Sequence, residues 1–329
     1  MNARRKDIIN RMNTLGAKRQ PFVFIIDFAA EKPMLFMPDE LADSGIRIHL
    51  PSLPQNPAQI EEAKFEFQKE PISFQYYSGA FNRVQEAIQR GDTFLLNLTF
   101  PTRIKTNLSL TEIFERSRAP FRLKFKEEFV VFSPEGFVKI KDNIISGFPM
   151  KGTMDAALPD AESILMNDPK EIAEHNTIVD LIRNDLSMVA KKVRVKNFRY
   201  IDRIQTHERE LLQTSTEITG ELPADWNEHI GDILFRMLPA GSISGAPKQK
   251  TVEIIEEAEG YDRGYFTGVF GYFDGQDLES AVMIRFIEKQ GEELWFKSGG
   301  GITSFSQCEK EYQELIEKVY VPIVRNNKG

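Results

Sequence analysis

Cysteine is nearly missing from this chain. Cys308 stands alone among 329 residues, so no internal disulfide can form and nothing points to an oxidising compartment. Histidine is scarce too: His49, His175, His207 and His229 make no ligand spacing with Cys308, which argues against a zinc site. No apolar run approaches the ~18 residues of a membrane span. The N-terminus, MNARRKDIINRMNTLG, lacks the apolar core and small-residue cleavage site of a secretory signal. Positive charge is in deficit, with 42 Lys plus Arg against 49 Asp plus Glu and a net charge of −7, which argues against a general nucleic-acid binder. No GxSxG or Cys–His pattern supports acyl transfer. The loop AGSISGAPK (240–248) is not a Walker loop, because the spacing to Lys248 is wrong and no Ser or Thr follows it. There is no repeat and no low-complexity segment. These absences leave the expectation of a soluble cytoplasmic protein with neither a membrane nor a nucleic acid as partner. The length and the 41% of hydrophobic residues suffice for one large core or two ordinary ones.

What is present reads as strands interleaved with helices. Residues 1–16 form an amphipathic helix ending at Gly16, FVFIIDF (22–28) is a buried strand, and 78–90 is a helix stopped by Gly91. FVVF (129–132) and GFVKIKDNIISG (136–147) read as a hairpin pair with Pro134 in the turn region. Asp168 to Lys191 is the clearest helix, with Pro169 in its first turn. YFTGVFGYF (265–273), ESAVMIRFI (279–287) and ELWFKSG (293–299) read as three strands, and a helix over roughly 307–320 closes the chain. The expected class is α+β with antiparallel sheets.

A few residues carry chemistry. Lys151 follows Ile144, Ile145, Phe148 and Pro149, where scarce water would leave a free amine able to act as nucleophile or base. In isolation a surface lysine in a turn is the better reading. Glu135 in SPEGF is a general acid if apolar surroundings raise its pKa, although a turn Glu is usually solvated. Glu174 falls on the same helical face as Ile178 and Leu181, so it needs a partner, either a divalent cation or an arginine. Glu311, Glu314 and Lys318 share one stripe of the last helix, where a hard-cation site competes with a plain Glu–Lys pair. The glycines of SGGGIT (298–303) permit close approach of an anion, or form a tight turn.

Taken in order, NLTF, SPEGF, PMKGT, AEHNTIVDLIRND, LPAGSISGAPK, YFTGVFGYF, MIRF, SGGGI and EKEYQELIEK resemble the motifs of the chorismate-utilising enzymes over roughly residues 75–325. The family includes anthranilate synthase, aminodeoxychorismate synthase component I, and isochorismate and salicylate synthases. The resemblance implies two face-to-face antiparallel β-sheets flanked by helices. It divides the chain into a short N-terminal region, 1–72, packing on the core, and a chorismate-binding catalytic domain, 73–326. It implies Mg²⁺ ligands at Glu174 and Glu314, with Glu311 beside them. It implies substrate contacts at Thr153, Tyr265, Arg285, Lys318 and the amides of Gly299, Gly300 and Gly301. Glu135 matches the acid that protonates the departing 4-hydroxyl.

Lys151 separates the subclasses. Anthranilate synthases resemble this chain but carry alanine there, whereas a lysine is similar to aminodeoxychorismate synthase component I, where it attacks C2 of chorismate. Isochorismate and salicylate synthases use a lysine at the position of Leu95, which cannot be a base. Leu95 and Gln213 also depart from the aminating members and leave proton removal unassigned; Ser187–Met188, Phe305 and Cys308 are further departures. The expected activity is conversion of chorismate and ammonia to 4-amino-4-deoxychorismate for p-aminobenzoate and folate synthesis. A separate glutamine amidotransferase subunit is the implied partner. Anthranilate synthase component I and a non-catalytic chorismate-binding subunit are the alternatives. No tryptophan site is expected.

Overall fold

The computed structural model describes residues 3–54, 65–205 and 210–322. Every strand pairing among them is antiparallel. The strands make two sheets. One runs in the order Met150–Asp155, Glu210–Glu221, Ile144–Gly147, Gly136–Lys141, Leu278–Val282, Val269–Phe273, Phe22–Ile26, Met34–Phe36, with Lys191–Gln205 also on Glu210–Glu221. The other runs Gly245–Ala246, Leu95–Thr106, Glu293–Ile302, Phe286–Gln290, Phe129–Ser133, Phe121–Phe125, Ile46–His49, with Phe67–Glu70 on Leu95–Thr106. Between them lies a core that includes Ile25, Leu123, Phe125, Phe129, Phe270 and Phe286, all buried. This is the α+β, two-sheet arrangement expected. No helix among the described residues is long and apolar enough to cross a membrane.

Residues 1–72 do more than pack on the core. Phe22–Ile26 is buried at all five positions and pairs with both Val269–Phe273 and Met34–Phe36. Ile46–His49 and Phe67–Glu70 extend the second sheet.

Two expected strand readings are corrected, and both corrections shape the site. Phe129–Ser133 and Gly136–Lys141 do not form a hairpin. The first pairs with Phe121–Phe125 and Phe286–Gln290, the second with Leu278–Val282 and Ile144–Gly147. Residues 134–135 therefore carry the chain from one sheet to the other. ESAVMIRFI is likewise two strands in different sheets, Leu278–Val282 and Phe286–Gln290, joined by residues 283–285. Arg285 sits in that link with φ 53°. The two links run side by side: the Val282 amide donates to the Glu135 carbonyl at 3.1 Å, and the Phe132 amide to the Arg285 carbonyl at 3.1 Å. ESAVMIRFI is apolar enough to read as one uninterrupted strand because each half faces a packed interior.

Candidate active site

The paired links open onto a cavity of about 390 Å³ lined by Glu135, Lys151, Glu174, Arg285, Glu311, Glu314 and Lys318, among others. A smaller space of about 150 Å³ adjoins it, lined by Glu135, Ser242, Phe266, Thr267, Arg285, Lys297 and residues 298–301. Glu135, Ile284, Arg285, Gly301 and Lys318 border both, so the two are halves of one cleft.

Glu135 occupies the first link. Its Oε1 accepts from the Ser242 hydroxyl at 2.6 Å. Burial raises its carboxyl above the ordinary range, against the lowering effects of that hydrogen bond and of Lys318. A protonated carboxyl here is suited to donate to a leaving oxygen. Ser242 was not legible as a site residue in the sequence. The loop that carries it is held from behind: Asp185 accepts from the Gly241 amide at 2.8 Å and from Lys248 Nζ at 2.7 Å.

Lys151 stands on Met150–Asp155 and reaches the Pro169–Ser187 helix, with Nζ 2.7 Å from Glu174. Desolvation is the largest influence and lowers its pKa, but Glu174, with Glu314 and Glu171, together make the net direction upward. The expected depression is therefore corrected: the lysine is buried, yet the site holds it as an ammonium. Glu174 does fall on the inward face expected from helical spacing. Glu171, one turn earlier, lines the same cavity, and a Cβ at Gly152 (φ 79°) would meet its Oε2 at 2.8 Å.

The Cys308–Glu317 helix brings Glu311 and Glu314 to the same cavity. Lys318, just past its end, pairs with Glu314 at 2.6 Å and donates to the Gly299 carbonyl at 2.8 Å. Burial lowers its pKa, partly offset by Glu314. Arg285 donates to the Lys318 carbonyl at 2.9 Å.

Gly299, Gly300 and Gly301 are not a turn. They continue the strand Glu293–Ile302, paired with Thr99, Leu98 and Asn97. A Cβ on Gly299 would lie 2.2 Å from the Leu98 carbonyl oxygen, so only glycine fits. A Cβ on Gly300 would stand 3.5 Å from both Glu311 Oε2 and Glu314 Oε1 and 3.6 Å from Lys318 Nζ, filling the space these groups face. Behind this strand, Arg263 and Glu259 form a fully buried pair at 2.5 Å that also grips the Asn97 carbonyl and the Thr99 amide. Removing one partner from such a pair costs about 3–5 kcal/mol.

Of two further expected contacts, one lies elsewhere and the other falls outside the described side chains. Tyr265 is not at the cavity. Its ring stacks on Phe129 at 5.3 Å and its hydroxyl donates to the Lys32 carbonyl at 2.9 Å. Its neighbours Phe266 and Thr267 line the cleft instead, because the chain turns here: the Phe266 amide donates to the Arg263 carbonyl at 3.1 Å and the Gly268 amide to the Tyr265 carbonyl at 3.0 Å. Thr153 pairs through its backbone with Gln213, and its side chain lies outside what is described. Gln213 lines the cavity with a buried Oε1 that has no hydrogen-bond partner, and Asn97 Oδ1 is in the same state in the adjoining space. Such orphan atoms suit a polar ligand.

The charge balance is specific. Five carboxyls (Glu135, Glu171, Glu174, Glu311 and Glu314) line the larger cavity against three cations (Lys151, Arg285 and Lys318). The oxygen donors suit a hard cation. Among the described residues no three acidic, histidine or cysteine side chains converge closely enough to hold one, since Glu174 is turned to Lys151 and Glu314 to Lys318.

The chorismate binding enzyme family matches residues 37–323. A Haemophilus influenzae protein named "Uncharacterized PabA-like protein" is 51% identical over 315 residues, 96% of each chain. The aminodeoxychorismate synthase component 1 of Klebsiella aerogenes is 33% identical over 264 residues, covering 75% of this chain and 57% of that one. The anthranilate synthase component 1 of Acetivibrio thermocellus is 34% identical over 255 residues, covering 72% and 50%. The chain thus spans about half the length of these two named synthases. The menaquinone-specific isochorismate synthase MenF of Escherichia coli shares the fold, with a TM-score of 0.70 at 16% identity over 95% of this chain and 80% of that one. Anthranilate synthase component I of Streptococcus pneumoniae superposes with a TM-score of 0.66 at 26% identity, over 78% of this chain and 59% of that one. The cleft between the paired links and the two acidic helices falls within the matched span, and this chain belongs to the family of chorismate binding enzymes.

Proposed function

We propose that this chain converts chorismate and ammonia into 4-amino-4-deoxychorismate, as an aminodeoxychorismate synthase component I. The observation that carries the reading is the position of Lys151: an amine lining the same cavity as Arg285 and Lys318, with the raised carboxyl of Glu135 beside them in that lining. Arg285, Lys318 and the bare face of Gly299–Gly301 bind and orient the substrate carboxylates. The Lys151 amine forms a bond to C2, both ring double bonds shift one position toward C4, and the C4–oxygen bond breaks with a proton from Glu135, releasing water. Ammonia then adds at C4, and the bond to Lys151 breaks to return the free amine. Attack needs the unprotonated amine, so loss of the ammonium proton belongs to the reaction and not to the resting site.

A dianionic substrate entering a cavity with excess carboxyls needs further positive charge. Mg²⁺ would supply it and neutralise the ring carboxylate when bound, held by Glu174 and Glu314 once these turn from Lys151 and Lys318, with Glu311 beside them. The nitrogen source in this reading is ammonia from a separate glutamine amidotransferase. Cys308, the sole thiol, is partly buried at the start of a helix, and burial raises its pKa, so it is no nucleophile for glutamine.

The test is product analysis of the purified chain with chorismate, Mg²⁺ and ammonium at high pH. The expected product is 4-amino-4-deoxychorismate, with no turnover of glutamine by the chain alone. Lys151→Ala should lower C4 amination by about a thousandfold. Anthranilate from the wild type, or full C4 amination by Lys151→Ala, would overturn the reading.

A further inference from the structure

A second cavity, of about 760 Å³, lies away from the cleft at the other end of the second sheet. It is larger than the first and has the opposite charge. Its floor is the outer face of two neighbouring strands, Ile46–His49 and Phe121–Phe125. Their antiparallel register sets Arg47 opposite Lys124 and His49 opposite Arg122. Like charges directly opposite on a sheet are unfavourable unless something neutralises them. Some of this is done within the chain: Arg47 pairs with Glu115, and Lys124 with Glu127 at 2.5 Å. Glu115 is the only acid lining the cavity among the described residues. Arg118, on the rim, and Arg122, on the floor, add two further cations to that one carboxylate.

Arg122 is fixed in place. Its guanidinium lies 5.3 Å from the Phe114 ring centroid, and Nη1 donates to the Phe114 and Ser117 carbonyls at 3.0 and 3.1 Å. Its Nε is buried without a hydrogen-bond partner. The histidine opposite it is held neutral by burial and by this same arginine. The rest of the lining includes the apolar Pro38, Leu41 and Pro54, with Ile48 on the floor strand itself. A cationic floor with apolar lining beside it, in a space of this size, is suited to a molecule with an acidic group at one end and a ring or chain at the other.

We propose that this cavity is a binding site for a small organic anion, such as a phosphate ester or carboxylate carrying an apolar group, separate from the site of reaction. The anion sits between Arg118 and Arg122, and the apolar part lies against Leu41 and Ile48. Neither arginine touches the catalytic cleft, so occupancy is independent of substrate.

Calorimetric titration of the full chain with phenyl phosphate, and with inorganic phosphate at matched ionic strength, tests this. Saturable binding of one phenyl phosphate is expected, tighter than phosphate because only the ester reaches the apolar lining. Arg118→Ser should weaken it about tenfold, the loss of one charge-assisted contact. Arg122→Met should weaken it at least as much, and Arg285→Ala should leave it unchanged. Arg118 is exposed, so its variant decides the matter should Arg122→Met fail to fold. Absence of saturable binding to the wild type would overturn the site. Binding lost in Arg285→Ala but kept in Arg118→Ser would put the probe in the catalytic cleft and overturn it too. Equal affinity for phosphate and its phenyl ester would overturn the organic part of the assignment.

Discussion

The two cavities are built from opposite materials. The cleft between the sheets gathers five carboxyls and three cations, most of them on helices and links, and each lysine in it is already matched to a glutamate. The outer cavity gathers cations on the flat face of one sheet, with a single carboxylate in its lining among the described residues. The difference lies in how charge is tolerated. Interlocked pairs in the cleft keep ionised groups in a partly dry space, and any ligand must displace one partner. The outer patch is partly exposed, at Arg47 and Arg118, and has more cations than that one lining carboxylate neutralises. The first design fits chemistry, where charges are exchanged during reaction; the second fits binding.

The sharpest way to break the contrast is to unpair the cleft. Glu174→Ala removes the partner of Lys151 and one expected Mg²⁺ ligand together. We expect kcat/KM for chorismate to fall by at least about a hundredfold, with a weakened magnesium dependence. Steady-state kinetics over a magnesium series would read this, and an unchanged magnesium requirement would remove Glu174 from the metal site. Arg118→Ser, in the outer cavity, should leave the same kinetics unaltered.

The glycines of the cleft separate folding from binding. Gly299→Ala puts a Cβ against the Leu98 carbonyl, and we expect a loss of about 3 kcal/mol in chemical denaturation. Gly300→Ala meets no atom closer than 3.5 Å, so stability should stay near wild type while chorismate KM rises. Equal destabilisation by both would mean that the bare strand face is a packing feature only.

The smallest effect concerns Ser242. Its hydrogen bond favours the ionised form of Glu135, whose pKa is raised by burial. An acid that must donate works only while protonated, so activity falls as pH rises through its pKa. Ser242→Ala removes a lowering influence, and the basic limb of the kcat profile assigned to Glu135 should move up by about half a unit. A shift downward would show that Glu135 is not the proton donor.

Much of the cleft was legible from sequence. Helical spacing puts Glu174 on an inward face and Glu311, Glu314 and Lys318 on one stripe, because a helix fixes which residues share a face; their part in a site is implied only by the family resemblance. The motif order placed Glu135, Lys151 and Arg285 together, and all three line the cavity. Tyr265 was misplaced by one residue. Both residues lie in a turn, where facing follows no sequence period, and no local pattern distinguishes Tyr265 from Phe266 when both are aromatic. Ser242 carried no signal, being a serine in a glycine-rich loop whose partner is 107 positions away.

Composition, the α+β class, the acidic helices and the family were determined by the sequence itself, since each rests on periodicity or on residues close together in the chain. Which strands share a sheet was decided only by tertiary structure. The segments around Pro134 and around Arg285 look like a hairpin turn and an unbroken strand, yet both cross from one sheet to the other, and their meeting makes the cleft. The state of Lys151 was decided there too: burial alone would make it a free amine, but the carboxylates around it, one of them 2.7 Å away on a neighbouring helix, keep it charged. The outer cavity depends on register, which pairs His49 with Arg122 across 73 positions of chain and is set by the packing of apolar side chains on the opposite face.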